Sequence, residues 1–238
     1  MKFDKLQIYP ELNAIEFVRN KRKPCKTILI SHGSAGIGTS EFSITEVLLE
    51  LECSVIILDH FTSRGIVSQY WHKYETTPSI PDRVVDICGL SKEKDISGMI
   101  GISAGGTAVL MASSKVLKPS IAIYPSTYPL TRSMVNAYNS TMICGSFDDW
   151  TTPDHARELA RRSSIDLIEV PGYHGFLKQD DRYLEDTISL RNSKNFDIVE
   201  DDHIPDQSEF SKGVNVRYSE EASNITFDSI KRIVSSWI

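Results

Sequence analysis

The sequence is poor in cysteine, with four in 238 residues: Cys25, Cys53, Cys88 and Cys144, no two of them spaced as Cys-x-x-Cys. Zinc ribbons and dithiol redox motifs are thereby excluded, and the apolar neighbours of most of these cysteines predict reduced, buried thiols rather than disulfides. Positive charge is also short, since 26 Lys and Arg against 32 Asp and Glu give a net charge of -6. Neither nucleic acid nor an anionic membrane is expected as a partner, because both need a basic surface. Long apolar runs are missing too. No stretch approaches the roughly 20 residues of a membrane span, and Met1-Lys2-Phe3-Asp4-Lys5-Leu6-Gln7 lacks the apolar core of a signal peptide. A cytoplasmic location is the expectation. What is present, 40% hydrophobic and 24% charged residues, suits one soluble domain over residues 1–238 with a single core. Small-molecule chemistry is the function class left standing.

The chain is organised around Gly101-Ile102-Ser103-Ala104-Gly105, a Gly-x-Ser-x-Gly that joins the apolar run Gly98-Met99-Ile100 to a small-residue helix beginning near Gly106-Thr107-Ala108. Two glycines let the backbone turn sharply from strand to helix, which holds a serine strained with its Oγ exposed. The Ala104 N–H then lies at a helix start and faces the place where an oxyanion would form. Such an elbow needs a base, an orienting acid and a second oxyanion donor elsewhere in the chain.

Residues 1–24 read as an N-terminal hairpin, with strands over 5–9 and 13–19 and a basic turn at Asn20-Lys21-Arg22-Lys23-Pro24. Thr27-Ile28-Leu29-Ile30-Ser31 is a short buried strand that runs into His32-Gly33-Ser34-Ala35-Gly36-Ile37-Gly38. Ser34 N–H, directly after His-Gly, is the candidate second oxyanion donor, and His32 reads as structural. The same glycine loop matches neither Gly-x-Gly-x-x-Gly nor a Lys-Ser/Thr phosphate loop, so no cofactor is expected. Residues 40–52 have helical spacing, and Ser54-Val55-Ile56-Ile57-Leu58-Asp59 is a strand, which implies a parallel crossover. The loop after it carries Arg64, and an aromatic stretch beyond it carries Tyr70 and Trp71; these border the carboxyl ends of strands and are candidate substrate contacts. Helix signals resume at Pro81-Asp82-Arg83, and Ile121-Ala122-Ile123-Tyr124 is one more strand. The alternation of strand and helix makes the class α/β.

Thr141-Met142-Ile143-Cys144-Gly145 ends in Ser146-Phe147-Asp148-Asp149-Trp150, which supplies a carboxylate after the serine in chain order. Asp148 or Asp149 can serve, the other capping a helix over 154–163. Asp166-Leu167-Ile168-Glu169-Val170 leads to Pro171-Gly172-Tyr173-His174-Gly175, and among six histidines His174 alone combines the order and the loop setting of a general base. Trp150 and Tyr173 join the candidate substrate contacts. Residues 177–212 are acidic with little periodicity and read as an extended loop. Asp201-Asp202-His203 within it has no second cluster at ligand spacing, so no metal is expected. Residues 218–238 read as an amphipathic helix.

Taken together, His32-Gly33-Ser34-Ala35-Gly36, Asp59-His60-Phe61-Thr62-Ser63-Arg64-Gly65, Gly101-Ile102-Ser103-Ala104-Gly105-Gly106, Gly145-Ser146-Phe147-Asp148-Asp149-Trp150-Thr151, Tyr173-His174-Gly175-Phe176 and Tyr218-Ser219-Glu220-Glu221-Ala222 resemble the dienelactone hydrolase family of the α/β-hydrolase superfamily. The resemblance implies an α/β-hydrolase fold, a mostly parallel central sheet flanked by helices and without a large cap domain. It also implies hydrolysis of a small-molecule ester or lactone without a cofactor. Its motif places the acid three residues after the glycine, which selects Asp148 and leaves Asp149 to cap. The type enzymes carry cysteine as nucleophile where this chain has Ser103. The expectation is a Ser103-His174-Asp148 hydrolase with Ser34 and Ala104 as oxyanion donors; a peptidase or acyltransferase on the same triad, or a silent binding protein of the same fold, are the alternatives.

Overall fold

Each short apolar run expected as an inner strand alternates residues between two cores. In the strand Thr27–Ser31, Ile28 and Ile30 pack on one face and Leu29 on the other, so a period of two with both faces buried appears in the sequence as an unbroken hydrophobic run. The computed structural model describes residues 5–9, 13–18, 26–66, 78–127, 130, 137–178, 181–188 and 212–237. Its elements are β1 (Lys5–Tyr9), β2 (Ala14–Val18), β3 (Thr27–Ser31), α1 (Thr39–Glu50), β4 (Ser54–Leu58), α2 (Ile80–Glu93), β5 (Gly98–Ile102), α3 (Ala104–Val116), β6 (Ser120–Ile123), β7 (Ser140–Gly145), α4 (Pro153–Arg162), β8 (Asp166–Val170), β9 (Arg182–Ile188), β10 (Lys212–Val216) and α5 (Glu220–Ser235).

Eight strands form one sheet in the order β1-β2-β4-β3-β5-β6-β7-β8. Strand β2 runs antiparallel to both β1 and β4, and the rest pair in parallel. One face is covered by α1 and α5 through Ile44, Leu48, Ile230 and Val234, the other by α2, α3 and α4 through Ile87, Val109 and Leu159. Strand order reverses between β3 and β5, and such a switch point opens a crevice at the carboxyl ends of the strands. The two ends that meet there carry Ser31-His32-Gly33 and Ile102-Ser103. The passage from β6 to β7, residues 124–139, is too short for a cap domain. Among the described residues no helix is long and apolar enough to cross a membrane.

The 177–212 stretch corrects the extended-loop expectation. It contains β9, which pairs antiparallel with β10 in a separate two-stranded sheet; residues 189–211 lie outside the described residues. The sequence of β9 shows no apolar alternation because this ribbon is fixed from one side, by burial of Val214 and Val216 on β10, rather than by a two-faced core. Cys53 and Cys144 are buried thiols outside any disulfide, whereas Cys88 is only partly buried, and Cys25 lies outside the described residues.

Two glycines test how tightly the switch point is packed. A Cβ on Gly105 would fall inside the carbonyl oxygen of Ser31, closer than real contacts allow, whereas a Cβ on Gly89, on the exposed side of α2, meets nothing within 4 Å. Gly105→Ala should therefore cost about 3 kcal/mol, a fall in Tm of about 6–12 °C for a chain of this size. Gly89→Ala should add about 0.5–1 kcal/mol of helix propensity and so raise Tm by about 1–4 °C. Thermal melts of the two variants check both signs.

Candidate active site

Ser103 ends β5 and begins α3 with φ 51 and ψ -117, a backbone conformation that costs a residue with a side chain on the order of 1–3 kcal/mol. It is held there by its own N–H, which donates to the Ile123 carbonyl of β6 at 2.9 Å, and by its carbonyl, which accepts from Thr107 N–H at 3.1 Å. The strain turns the side chain out of the sheet toward the loop after β8, where the Ser103 hydroxyl lies 3.2 Å from His174 Nε2.

His174 is buried, flanked by the rings of Tyr124 at 4.8 Å and Trp150 at 4.7 Å. Its carbonyl accepts from Arg217 N–H at 3.1 Å, and its backbone bridges to Val216, so β10 carries the histidine loop. Nδ1 lies 2.8 Å from Asp148 Oδ2. The other carboxylate oxygen, Oδ1, accepts the N–H groups of Trp150 at 2.9 Å and Thr151 at 2.7 Å, and the Thr151 hydroxyl donates to Oδ2 at 2.9 Å. A carboxylate so surrounded by donors is an acceptor only, which leaves the imidazole proton on Nδ1 and the bare Nε2 facing the serine. Thr151 Oγ1 also lies 3.1 Å from Nδ1 and so shares that proton. A serine hydroxyl on an imidazole whose far nitrogen meets a carboxylate is the arrangement that activates an alcohol as nucleophile.

Asp149 does not cap α4. Its carboxylate accepts the backbone N–H of Asn215 at 2.9 Å and the Asn215 side-chain amide at 2.6 Å, fastening β10 beside the Asp148 loop. Thr152 caps the helix instead, its hydroxyl accepting from Asp154 N–H. The cap expectation failed because one Asx-type side chain beside another looks alike in sequence, while the Asn215 partner is 66 residues away.

The loop after β3 abuts the elbow, for a Cβ on Gly33 would stand 3.5 Å from Ser103 Cβ. It is drawn together by the Gly36 N–H on the Gly33 carbonyl at 3.2 Å and by Glu41 of α1. The Glu41 carboxylate accepts the N–H groups of Gly38 at 2.9 Å and, more loosely, Gly33 at 3.4 Å. Burial pushes this carboxyl above its usual range, against the pull of those N–H groups and of Lys178. Ser34, Ser103, Tyr124, His174, Lys178 and Val216 line one cavity together with Glu41. Ala104 starts α3 next to Ser103. Of these, Glu41, Lys178 and Val216 carry no sequence signal beyond proximity to a motif.

The candidate substrate contacts fare differently. Arg64 is held elsewhere: it donates twice to Asp86, at 2.9 Å each, and once to the His60 carbonyl at 2.8 Å, and it does not line the cavity. Trp150 backs His174 from outside the cavity. Tyr173 stacks under Arg217 at 4.9 Å and likewise does not line it. Tyr70 and Trp71 lie outside the described residues.

No protein-family model matches the chain, and no curated sequence does. Its likeness is to solved structures. A Klebsiella pneumoniae protein provisionally named a dienelactone hydrolase superimposes with a TM-score of 0.59 at 11% identity, over 94% of this chain and 91% of the other. Est1E from Butyrivibrio proteoclasticus gives 0.55 at 12%, over 94% of each. Mouse alpha/beta hydrolase domain-containing protein 10 gives 0.54 at 13%, over 74% of this chain and 92% of that one. Similarity at such identities is one of architecture, and it agrees with the mostly parallel sheet and the switch-point crevice: the chain has the α/β-hydrolase fold.

Proposed function

We propose that this protein is a serine hydrolase that cleaves a carboxylic ester or lactone of a small molecule. The reading is carried by one observation, the unbroken hydrogen-bonded line from the strained Ser103 through His174 to Asp148 at the switch point. The likeness in fold to Est1E, a protein solved with ferulic acid bound, and to a protein named for dienelactone hydrolysis supports the substrate class.

In this reading Ser103 Oγ attacks the ester carbonyl while its proton passes to His174 Nε2. Asp148 holds the imidazole in the required tautomer and stabilises the imidazolium that forms. The carbonyl oxygen becomes an oxyanion between the N–H groups of Ala104 and Ser34, each such donor being worth roughly 3 kcal/mol in the transition state. His174 returns the proton to the departing alcohol, leaving Ser103 acylated, and then activates the water that releases the acid. Every step uses side chains and backbone of this chain.

Four measurements test it. The wild-type protein should hydrolyse p-nitrophenyl acetate and take up one fluorophosphonate per chain, and Ser103→Ala should do neither while melting at or above the wild-type temperature; a turnover that survives the substitution overturns the assignment. Asp148→Asn should lower kcat by about 10⁴-fold, since an amide favours the wrong imidazole tautomer. Asp149→Asn should stay within a few-fold of wild type and instead lose about 1 kcal/mol of stability through its weakened hold on Asn215. Iodoacetamide should leave turnover intact, because among the described residues no cysteine lines the cavity and burial pushes the Cys144 thiol far up; inactivation that substrate prevents would contradict a serine nucleophile.

A further inference from the structure

Beneath the loop that carries Ser34 lies a second, fully separate set of polar side chains. His60 Nδ1 meets Asp86 Oδ2 at 2.7 Å, which makes Nδ1 the protonated nitrogen, and its bare Nε2 accepts from the Ser31 hydroxyl at 2.9 Å. His60 lends its backbone N–H to His32 Nε2 at 3.1 Å. Since that donor is a fixed N–H, His32 Nε2 carries no proton. His32 Nδ1 therefore donates, and it does so to the Gly33 carbonyl at 2.7 Å. Arg83, buried to 0% exposure, donates from Nη1 to the His32 carbonyl at 2.8 Å and lies 5.1 Å over the Phe61 ring. The assignment uses every nitrogen of both imidazoles with each ring neutral. Burial, reinforced by the neighbouring cations, holds both rings below the usual histidine range, His32 furthest.

Geometry gives this set a task. Peptide planarity fixes the N–H of one residue on the side opposite the carbonyl of the residue before it. Arg83 on the His32 carbonyl thus turns Gly33 N–H the other way, where it finds Glu41. His32 on the Gly33 carbonyl turns Ser34 N–H away from the histidine, and Ser34 borders the same cavity as Ser103. We propose that His32 and Arg83, braced by His60, Asp86 and Arg64, are positioning residues that aim the Ser34 N–H at the oxyanion. Ser31-His60-Asp86 repeats the serine, histidine and acid order of the reactive line, yet Ser31 and His60 are at 0% exposure and meet no substrate. Their hydrogen bonds orient a peptide instead.

The proposal rests on the esterase reading, so the experiment begins with wild-type turnover and fluorophosphonate uptake; failure of both overturns that reading and this role together. With wild type active, His32→Ala and Arg83→Met are compared per active site, counted from the end point of fluorophosphonate labelling. Misaiming one donor should lower kcat about a hundredfold for His32→Ala and about tenfold for Arg83→Met, with KM within about twofold. A merely structural role would reduce the number of active sites and leave kcat per site unchanged, which would overturn the proposal. Should neither variant fold, ¹⁵N spectra of histidine-labelled wild type decide: a neutral His32 protonated on Nδ1 at pH 7 upholds the proposal, and a His32 protonated on Nε2 or on both nitrogens ends it.

Discussion

The contact between Gly105 and the backbone of Ser31 and His32 is the constraint on which the site depends. No side chain fits there, so the first turn of α3 closes directly onto the end of β3, and the loops at the two strand ends border one cavity. The elbow's conformation, the placement of the loop after β3 and the cavity between them follow from this approach. Hydrophobic burial supplies the force, since β3 and β5 are buried on both faces and the sheet cannot slide without exposing one of them. Specificity of position, however, comes from polar groups at the strand ends. Backbone hydrogen bonds from β6, side-chain donors around Asp148 and the buried set under His32 each remove one degree of freedom.

Much of this was legible in the sequence, and the reason is periodicity. Strands β3 to β8 announced themselves as short apolar runs between turn residues, the elbow as glycines at a fixed spacing, and the histidine loop as a glycine-bounded turn late in the chain. Chain order then did the rest, bringing Ser103, His174 and Asp148 together as expected. What stayed hidden were charged residues that the fold buries. Arg83 reads as a polar residue opening a helix and Glu41 as an acid in a first turn, because pattern arguments assign charge to the surface. Arg64 reads as a substrate contact because its loop leaves the carboxyl end of a strand, whereas Asp86 of α2 holds it. Asp149 and the β9–β10 ribbon were missed for a related reason: their partners, Asn215 and the histidine loop, lie across the sequence, and no local pattern records a distant hydrogen bond.

Electrostatics around the site divides into two halves with opposite character. On the serine side the carboxylate of Asp148 has its donors supplied by its own loop, through Trp150 and Thr151, so burial leaves neither oxygen without a partner. Under the loop after β3 two guanidinium groups and one carboxylate gather: the Arg83 guanidinium is drawn down to about 10 by burial, and Asp86 sits between Arg64 and His60. Burial alone would raise the Asp86 carboxyl, but the hydrogen bonds from His60 and Arg64 outweigh it and keep it below its ordinary value. Neutral imidazoles between these charges act as spacers that carry hydrogen bonds without adding charge.

The left-handed backbone of Ser103 has a consequence for how such a chain can evolve. Glycine would occupy that conformation without penalty, and every drift toward it would make the fold more secure while erasing its chemistry. Under the proposed function, stability and activity thus pull in opposite directions at a single position, where the strain of the Ser103 backbone accompanies the hydroxyl that glycine would lack.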